Sequence, residues 1–382
     1  MIIDIYHNIL WSKYKGRVFS SLYALANKQK DEVNITQIAA TSSERVGLST
    51  LDTSYHHYPY QLMFDSVYDT IPKWQLYKSL FLSVWNSRAD LIILPGYHQV
   101  EYWVMLLACM LKRTPRAVFV DSTRYDNPIS WVKDVLKRVF FFCCDGFFCY
   151  GTRSKEYLMG LGVPERKINI RCQAAALPHG YNSADALTRR LSADYRSATP
   201  SFLYVGRLSQ EKSLDILLMA FQKLLSDGVN ANLVLVGNGP LLADLQAQAR
   251  QLGIENSVNF AGSADLEKLT NYYLAATCLV LPSRSEPWGL VVNEALSYGC
   301  PAIVSNNCGC VVDLISDGET GYKFVTDDVS DLKEKMEQAL STLVDRKQTA
   351  EKCIEMISKF TPDVAAQQIL DGCKRLISKS GD

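Results

Sequence analysis

Two glutamates eight positions apart, in Ser285-Glu286-Pro287-Trp288-Gly289-Leu290-Val291-Val292-Asn293-Glu294, flank a turn that can hold a diphosphate. The stretch follows the apolar run Cys278–Leu281 and enters an apolar helical run that stops at Gly299 before Pro301. Glu286 then lies in a loop and Glu294 more than one turn into a helix. The first N–H groups of a helix have no intrahelical acceptor and carry partial positive charge, so the backbone at Trp288, Gly289, Leu290 and Val291 can receive phosphate oxygens. A carboxylate inside the helix can accept the paired hydroxyls of a ribose, and one in the loop can accept hydroxyls of a sugar. Taken alone, two such acids are more often the cap or solvated surface of a helix. Their company decides.

That company is ordered. Val205-Gly206-Arg207-Leu208 precedes Glu211-Lys212-Ser213; then come Val236-Gly237-Asn238-Gly239-Pro240, Phe260-Ala261-Gly262, the Glu286 to Glu294 element, and Gly309, Gly318 and Gly321. Two cations, Arg207 and Lys212, beside a helix N-terminus suit a pyrophosphate that gains charge as it leaves. Gly237-Asn238-Gly239-Pro240 could pass for a dinucleotide fingerprint, but Leu242 stands where the third glycine belongs, which makes a nicotinamide enzyme the weaker reading. Over about residues 200–325 this order resembles the retaining glycosyltransferases of family 4, the glycosyl transferases group 1 of GT-B fold. The resemblance implies that Arg207 and Lys212 contact the donor diphosphate, that Glu286 contacts the donor sugar and that Glu294 binds the ribose. Gly206, Gly237, Asn238 and Gly262 join the donor-binding set with Trp288, Gly289, Leu290 and Val291.

The first half resembles the family less closely. Gly16, in Lys13-Tyr14-Lys15-Gly16-Arg17-Val18, stands at the family's glycine-rich loop, where backbone approaches sugar and phosphate, yet the usual double glycine is absent. Where relatives place a histidine facing the donor sugar, the chain reads Asp121-Ser122-Thr123-Arg124. Asp121 is the candidate hydroxyl acceptor near the reacting carbon; a strand-end aspartate also caps helices, and His98 is its rival. The family's Pro-Asn-Gly turn reads Pro178-His179-Gly180, a departure that leaves the acceptor side unassigned. Resemblance further implies transfer with retention, with no metal and no cofactor beyond the nucleotide-sugar donor.

Positioning these residues requires two α/β domains. Short branched or aromatic runs (Ile2–Tyr6, Ile35–Ala39, Leu91–Leu94, Ala117–Val120, Gly146–Tyr150) alternate with helical patterns at Arg17–Asn27, Gln99–Leu111 and Trp131–Phe142. Phe202–Val205, Leu233–Val236, Val258–Phe260, Cys278–Leu281 and Ala302–Ser305 repeat the rhythm. Such alternation predicts doubly wound parallel sheets, here two Rossmann-like domains facing a central cleft, with ligands beyond the carboxyl ends of the strands. The expected division is 1–195 for the acceptor side and 196–360 for the donor side, with Asn182–Pro200 as linker and a C-terminal helix in 361–382 packing back on the first domain.

Composition bounds the rest. With 48% hydrophobic and 21% charged residues and zero formal charge, the chain reads as an ordinary globular protein and not a nucleic-acid binder. The zero divides into +6 for residues 1–195 and −6 beyond, a basic excess that suits an anionic acceptor or membrane surface, or simple solvation. Eleven cysteines without a CxxC pair fit neither a zinc ribbon nor a disulfide framework, and point to a reducing cytoplasm. Trp131–Phe142 mixes basic and large apolar residues. Burial of one face is the favoured expectation for this helix, and contact with the inner face of a membrane is the alternative. The function expected is transfer of a hexose-type sugar to a glycan or lipid-linked glycan in polysaccharide biosynthesis. An inverting GT-B transferase or sugar-nucleotide epimerase, a nicotinamide oxidoreductase and a non-catalytic nucleotide-sugar binder are the alternatives.

Overall fold

A computed structural model describes residues 1–45, 51–126, 131–195, 197 and 199–379. The chain divides into two compact units, the first Met1–Arg124, Pro128–Ala176 and Phe360–Asp382, the second Tyr125–Asn127 and Leu177–Lys359.

The first unit is built on a seven-stranded parallel sheet. In chain order its strands are β1 (Ile2–Ile9), β2 (Glu32–Thr41), β3 (Tyr60–Val67), β4 (Leu91–Leu94), β5 (Arg116–Val120), β6 (Gly146–Cys149) and β7 (Ile168–Asn169), laid out as β3-β2-β1-β4-β5-β6-β7. Strands β4 and β6 are buried along their whole length, because helices cover both faces of the sheet. Leu76, Leu80, Tyr102, Met105, Phe140 and Phe141 fill one face. Val18, Phe19 and Leu22 fill the other, together with Ala365, Ile369, Leu370 and Cys373 of the C-terminal helix Pro362–Lys379.

The second unit repeats the plan with six strands: β8 (Ser201–Val205), β9 (Asn232–Val236), β10 (Val258–Gly262), β11 (Cys278–Leu281), β12 (Ala302–Ser305) and β13 (Gly321–Phe324), in the order β10-β9-β8-β11-β12-β13. The strand order reverses between β8 and β11, and such a reversal is where ligand crevices open in α/β sheets.

The passage between units differs from the expected linker. Residues 177–195 belong to the second unit, because Asn182 caps a helix, Ser183–Leu191, that Arg190 ties inward. The Arg190 guanidinium donates to the carbonyls of Tyr273, Leu274 and Ala276 at 2.9, 3.2 and 3.1 Å. A polar, alanine-rich stretch reads as a linker when its single buried arginine has no visible destination.

The helix Trp131–Phe142 buries one face, as expected, and leaves a second apolar face outward. It buries Phe140 and Phe141 but leaves Trp131 78% and Phe142 88% exposed, with Val132, Val135, Leu136 and Val139 also outward. The expected burial accounts for only one of its two apolar faces.

Candidate active site

The switch point of the second unit gathers the residues of the strongest sequence signal. Beyond β8 the chain makes a short turn, Gln210–Lys212, before the helix Leu214–Ser226. Beyond β11 it runs through Glu286 to Gly289, which caps the helix Leu290–Ser297. Lys212 Nζ meets Glu286 Oε2 at 2.5 Å, with the two side chains 18% and 17% exposed. Arg284 braces both loops: it reaches Asp327 at 2.7 Å, Asp215 at 3.1 Å and the Gln210 carbonyl at 3.2 Å. Its own N–H donates to the Glu211 carbonyl at 2.8 Å. Arg207 stands exposed, with no ion-pair partner among the described residues. It is a cation free to meet a ligand.

Gly289 has φ +99° and a Cβ there would lie 2.8 Å from Leu281 Cδ2, so only glycine turns the chain into the helix at this spot. The loop is backed by the segment after β12: Gly309 N–H donates to the Glu286 carbonyl at 2.9 Å and Cys310 N–H to that of Trp288 at 3.0 Å. The N–H groups of Leu290 and Val291, in the first helical turn, lack intrahelical acceptors by position. The Trp288 ring is a structural member instead: it is 3% exposed and its Nε1 donates to Asn293 Oδ1 at 2.8 Å.

One turn on, Glu294 is half-buried and its carboxylate accepts from the buried Tyr273 hydroxyl at 2.7 Å. Enclosure by protein pushes its carboxyl up to about 7, and the Tyr273 hydrogen bond holds it from rising further.

The glycines after β8 and β9 serve the fold. A Cβ on Gly237 would fall 1.9 Å from the Gly206 carbonyl oxygen, and one on Gly239 2.2 Å from that of Leu208. The two loops pass backbone against backbone, which is why positions 237 and 239 admit no side chain. Gly237 N–H donates to the Gly262 carbonyl at 2.8 Å, and Asn238 Nδ2 to Ser263 Oγ at 2.8 Å. Asn238 is exposed beside these loops. Pro178, His179 and Gly180 border a cavity of about 360 Å³ with Arg189, Thr270 and Tyr298; none of the predicted donor residues lines it.

The remaining predicted residues lie in the first unit. Gly16 is inside the helix Lys13–Lys28, not in a loop, and a Cβ on it would sit 2.9 Å from the His56 ring; the approaching group is a neighbouring segment of the chain. Asp121 is exposed after β5, its carbonyl accepting from Ser154 Oγ. His98, also exposed, meets the edges of Tyr97 and Tyr102. Sequence reasoning passed over Lys15, which is 4% exposed, has no hydrogen-bond partner among the described residues, and lies 4.4 Å from the Phe119 ring centroid and 5.0 Å from that of Tyr150. Burial lowers its ammonium to about 8 against the opposing pull of Asp121.

From 10.5 to about 8 corresponds to roughly 3 kcal/mol against the charged form, of which the two ring contacts return about 1–2 kcal/mol. Lys15→Met is therefore expected to be more stable than wild type at pH 7 by about 1–2 kcal/mol. Because the folded-state value is the lower one, the wild type regains this stability as pH rises from about 8 towards 10.5 and the difference closes. Denaturant melts at pH 7 and pH 10 measure it; a Lys15→Met variant less stable at both would refute the accounting.

All eleven cysteines are free, and ten are buried. No group of three His, Cys, Asp or Glu side chains among the described residues is placed to hold a metal ion.

Residues 193–358 match the family model for glycosyl transferases group 1. The alpha-monoglucosyldiacylglycerol synthase of Streptococcus pneumoniae is 34% identical over 224 residues, 55% of this chain and 51% of its own. For the first curated relatives the aligned part spans about a quarter to a half of their length, from 26% to 51%. Among solved structures, the lipopolysaccharide outer core galactosyltransferase WaaB superposes with a TM-score of 0.73 at 16% identity, over 98% of this chain and 99% of that one. Anabaena HepE, solved with UDP and glucose, gives 0.70 at 16% identity over 98% and 100%. At this identity the likeness establishes the fold.

Proposed function

The second unit is a glycosyl transferases group 1 domain and the chain has the GT-B fold, and from that premise we propose that the protein is a retaining, metal-independent glycosyltransferase. It moves a hexose-type sugar from a nucleoside diphosphate donor to a glycan or glycolipid acceptor. The observation that carries the reading is the Lys212–Glu286 pair, poised at the sheet's switch point beside the helix that Gly289 opens.

An ammonium has three donors, so Lys212 can keep Glu286 in place and still bind a phosphate oxygen. Arg207 and the N–H groups of Leu290 and Val291 complete a cationic seat for the leaving diphosphate, whose charge grows as the sugar departs. Glu286 accepts a donor-sugar hydroxyl and Glu294 the ribose diol. In this scheme no side-chain base is required: the departing phosphate oxygen can take the acceptor proton, and catalysis rests on positioning and charge.

UDP-, GDP- and ADP-sugars should be screened for thermal stabilisation, since a bound ligand raises apparent stability by mass action; HepE makes the UDP-sugars the first to try. Turnover with release of the matching diphosphate and a product of unchanged anomeric configuration supports the proposal. An inverted anomer, an epimerised donor or binding without turnover would each select a rival. Leu242 in place of the third glycine speaks against the nicotinamide reading.

On the acceptor side, three helices over one face of the first sheet, Lys73–Asn86, Val100–Lys112 and Trp131–Phe142, leave large apolar groups outward. Trp74 is 70% exposed, and Trp85, Leu107, Leu111, Trp131, Leu136 and Phe142 are exposed with it. Lys73, Lys78, Arg113, Lys133 and Arg138 stand exposed among them. Apolar groups that enter an interface and cations that meet anionic headgroups favour a membrane-borne acceptor. Among the described residues no helix is long and apolar enough to cross a membrane. The protein is expected to co-sediment with phosphatidylglycerol vesicles at low salt and to remain in solution with phosphatidylcholine alone. Trp131→Glu with Phe142→Glu should release it, and absence of sedimentation at low salt would defeat the membrane reading.

A further inference from the structure

A carboxylate that recognises a diol must present its free oxygen at a fixed angle, and Glu294 has one side-chain partner among the described residues: the Tyr273 hydroxyl, donating to Oε2 at 2.7 Å. Tyr273 comes from a different element, the helix Leu266–Ala275, and is 1% exposed. Its ring packs parallel to and offset from that of Tyr298, with centroids 5.8 Å apart and planes 10° from parallel. The Tyr298 hydroxyl in turn meets Thr270 Oγ1 at 3.0 Å, one turn back on the same helix as Tyr273. The phenol therefore has little freedom at either torsion.

The backbone behind it is fixed as well. Helix C-termini leave carbonyls without intrahelical donors and favour cations, and here two arginines supply both. Arg190 holds the Tyr273, Leu274 and Ala276 carbonyls, and Arg346 Nη2 reaches the Leu274 carbonyl at 2.5 Å. No carboxylate pairs with Arg190 among the described residues. Its charge is spent on this helix end.

We propose that Tyr273 is the positioning residue of the donor site: anchored by Tyr298 and by the Arg190 clamp, it fixes one oxygen of Glu294 so that the other is presented to the ribose hydroxyls. This rests on the reading of Glu294 as the ribose acceptor. A short O–H to carboxylate bond is directional and charge-assisted, and each carboxylate oxygen keeps lone pairs to spare. Tyr273 can hold the group without using up its capacity for a diol.

Tyr273→Phe in the full chain tests the inference, because it removes the hydroxyl and keeps the stack. The probes are UDP, GDP and ADP, whichever stabilises the wild type most, and the 2′-deoxy form of the same nucleotide. The variant is expected to bind the ribonucleotide about tenfold more weakly, the deoxy form nearly as before, and to keep kcat at saturating donor within about twofold. The midpoint of affinity against pH should also move upward, since the bond that lowers the Glu294 titration is gone. A folded Tyr273→Phe protein with unchanged ribo-to-deoxy preference and unchanged pH midpoint overturns the proposal. Glu294→Ala separates the two levels. If it leaves ribonucleotide affinity intact, the ribose reading and this inference both fall; if it weakens binding while Tyr273→Phe does not, only the positioning role falls. In the Glu294→Ala background, Tyr273→Phe should add nothing.

Discussion

Lys212→Met is expected to lower kcat/KM by about 10²–10³, the usual cost of removing one donor aimed at developing charge. The ammonium is in place before substrate arrives: it touches Glu286 at 2.5 Å, and Arg284 holds its turn to Asp215, Asp327 and the Gln210 carbonyl. With both side chains less than a fifth exposed, water screens the pair incompletely. Methionine removes the phosphate's cation and also leaves Glu286 without its partner, so the sugar contact is disturbed together with the diphosphate contact. Two losses routed through one pair should not add: Glu286→Gln combined with Lys212→Met should cost little more than Lys212→Met alone. Arg207 is exposed and makes no ion pair among the described residues, its charge felt only at longer range by Glu211, so Arg207→Met should be the milder change, since that side chain must be ordered by the ligand itself. Initial rates of diphosphate release with the preferred donor measure all four proteins. If Arg207→Met proves the more damaging, or Lys212→Met stays within twofold of wild type, the pre-positioned pair is not the catalytic centre proposed.

The parts of this site legible in the sequence are those whose signal is local. A strand, a turn ending in glycine, an apolar helix and two acids eight apart lie within one stretch of chain, and the structure puts Glu286 in the loop and Glu294 one turn into the helix. Where the signal was a glycine, the sequence could report that something comes close but not what. At Gly237 it is the Gly206 carbonyl and at Gly16 the His56 ring, contacts made by segments distant in the chain. Periodicity placed the helix Trp131–Phe142 correctly but could not tell which of its apolar stripes meets the core, since Phe140 and Phe141 are buried while Trp131 and Phe142 are not. The strands β3, β7 and β13 escaped notice: β3 is a partly exposed edge, β7 is two residues long, and β13 is a four-residue edge strand that opens on Gly321. Tyr273, Arg190 and Arg284 carry no motif at all. Each acts on a residue between 21 and 86 positions away, and such a pairing exists only once the sheet is formed.

Glu294→Ala is expected to weaken nucleoside diphosphate binding by about 10²-fold, since two hydrogen bonds to a charged acceptor are lost at roughly 1.5 kcal/mol each, and the wild-type affinity should climb with pH. The Glu294 carboxyl, pushed up to about 7 by its enclosure, is mostly protonated at pH 6. In that form one oxygen donates, and a donor facing a ribose hydroxyl is of less use than an acceptor. Ionisation at pH 8 restores the full acceptor set, so affinity should rise by about tenfold across the interval. Stability of the free protein runs the other way. An acid whose folded value lies above its unfolded one, here about 7 against 4.5, binds more protons in the folded state between those values, so folding weakens as pH climbs through that window. Between about pH 6 and 7, where the two ranges overlap, the thermal shift given by nucleotide should grow while the unliganded protein softens. The terminal phosphate of the nucleotide also titrates near pH 6, and Glu294→Gln isolates it: any slope the variant keeps belongs to the phosphate, and the excess in wild type belongs to Glu294. Equal slopes in the two proteins would mean that the carboxylate does not face the ligand.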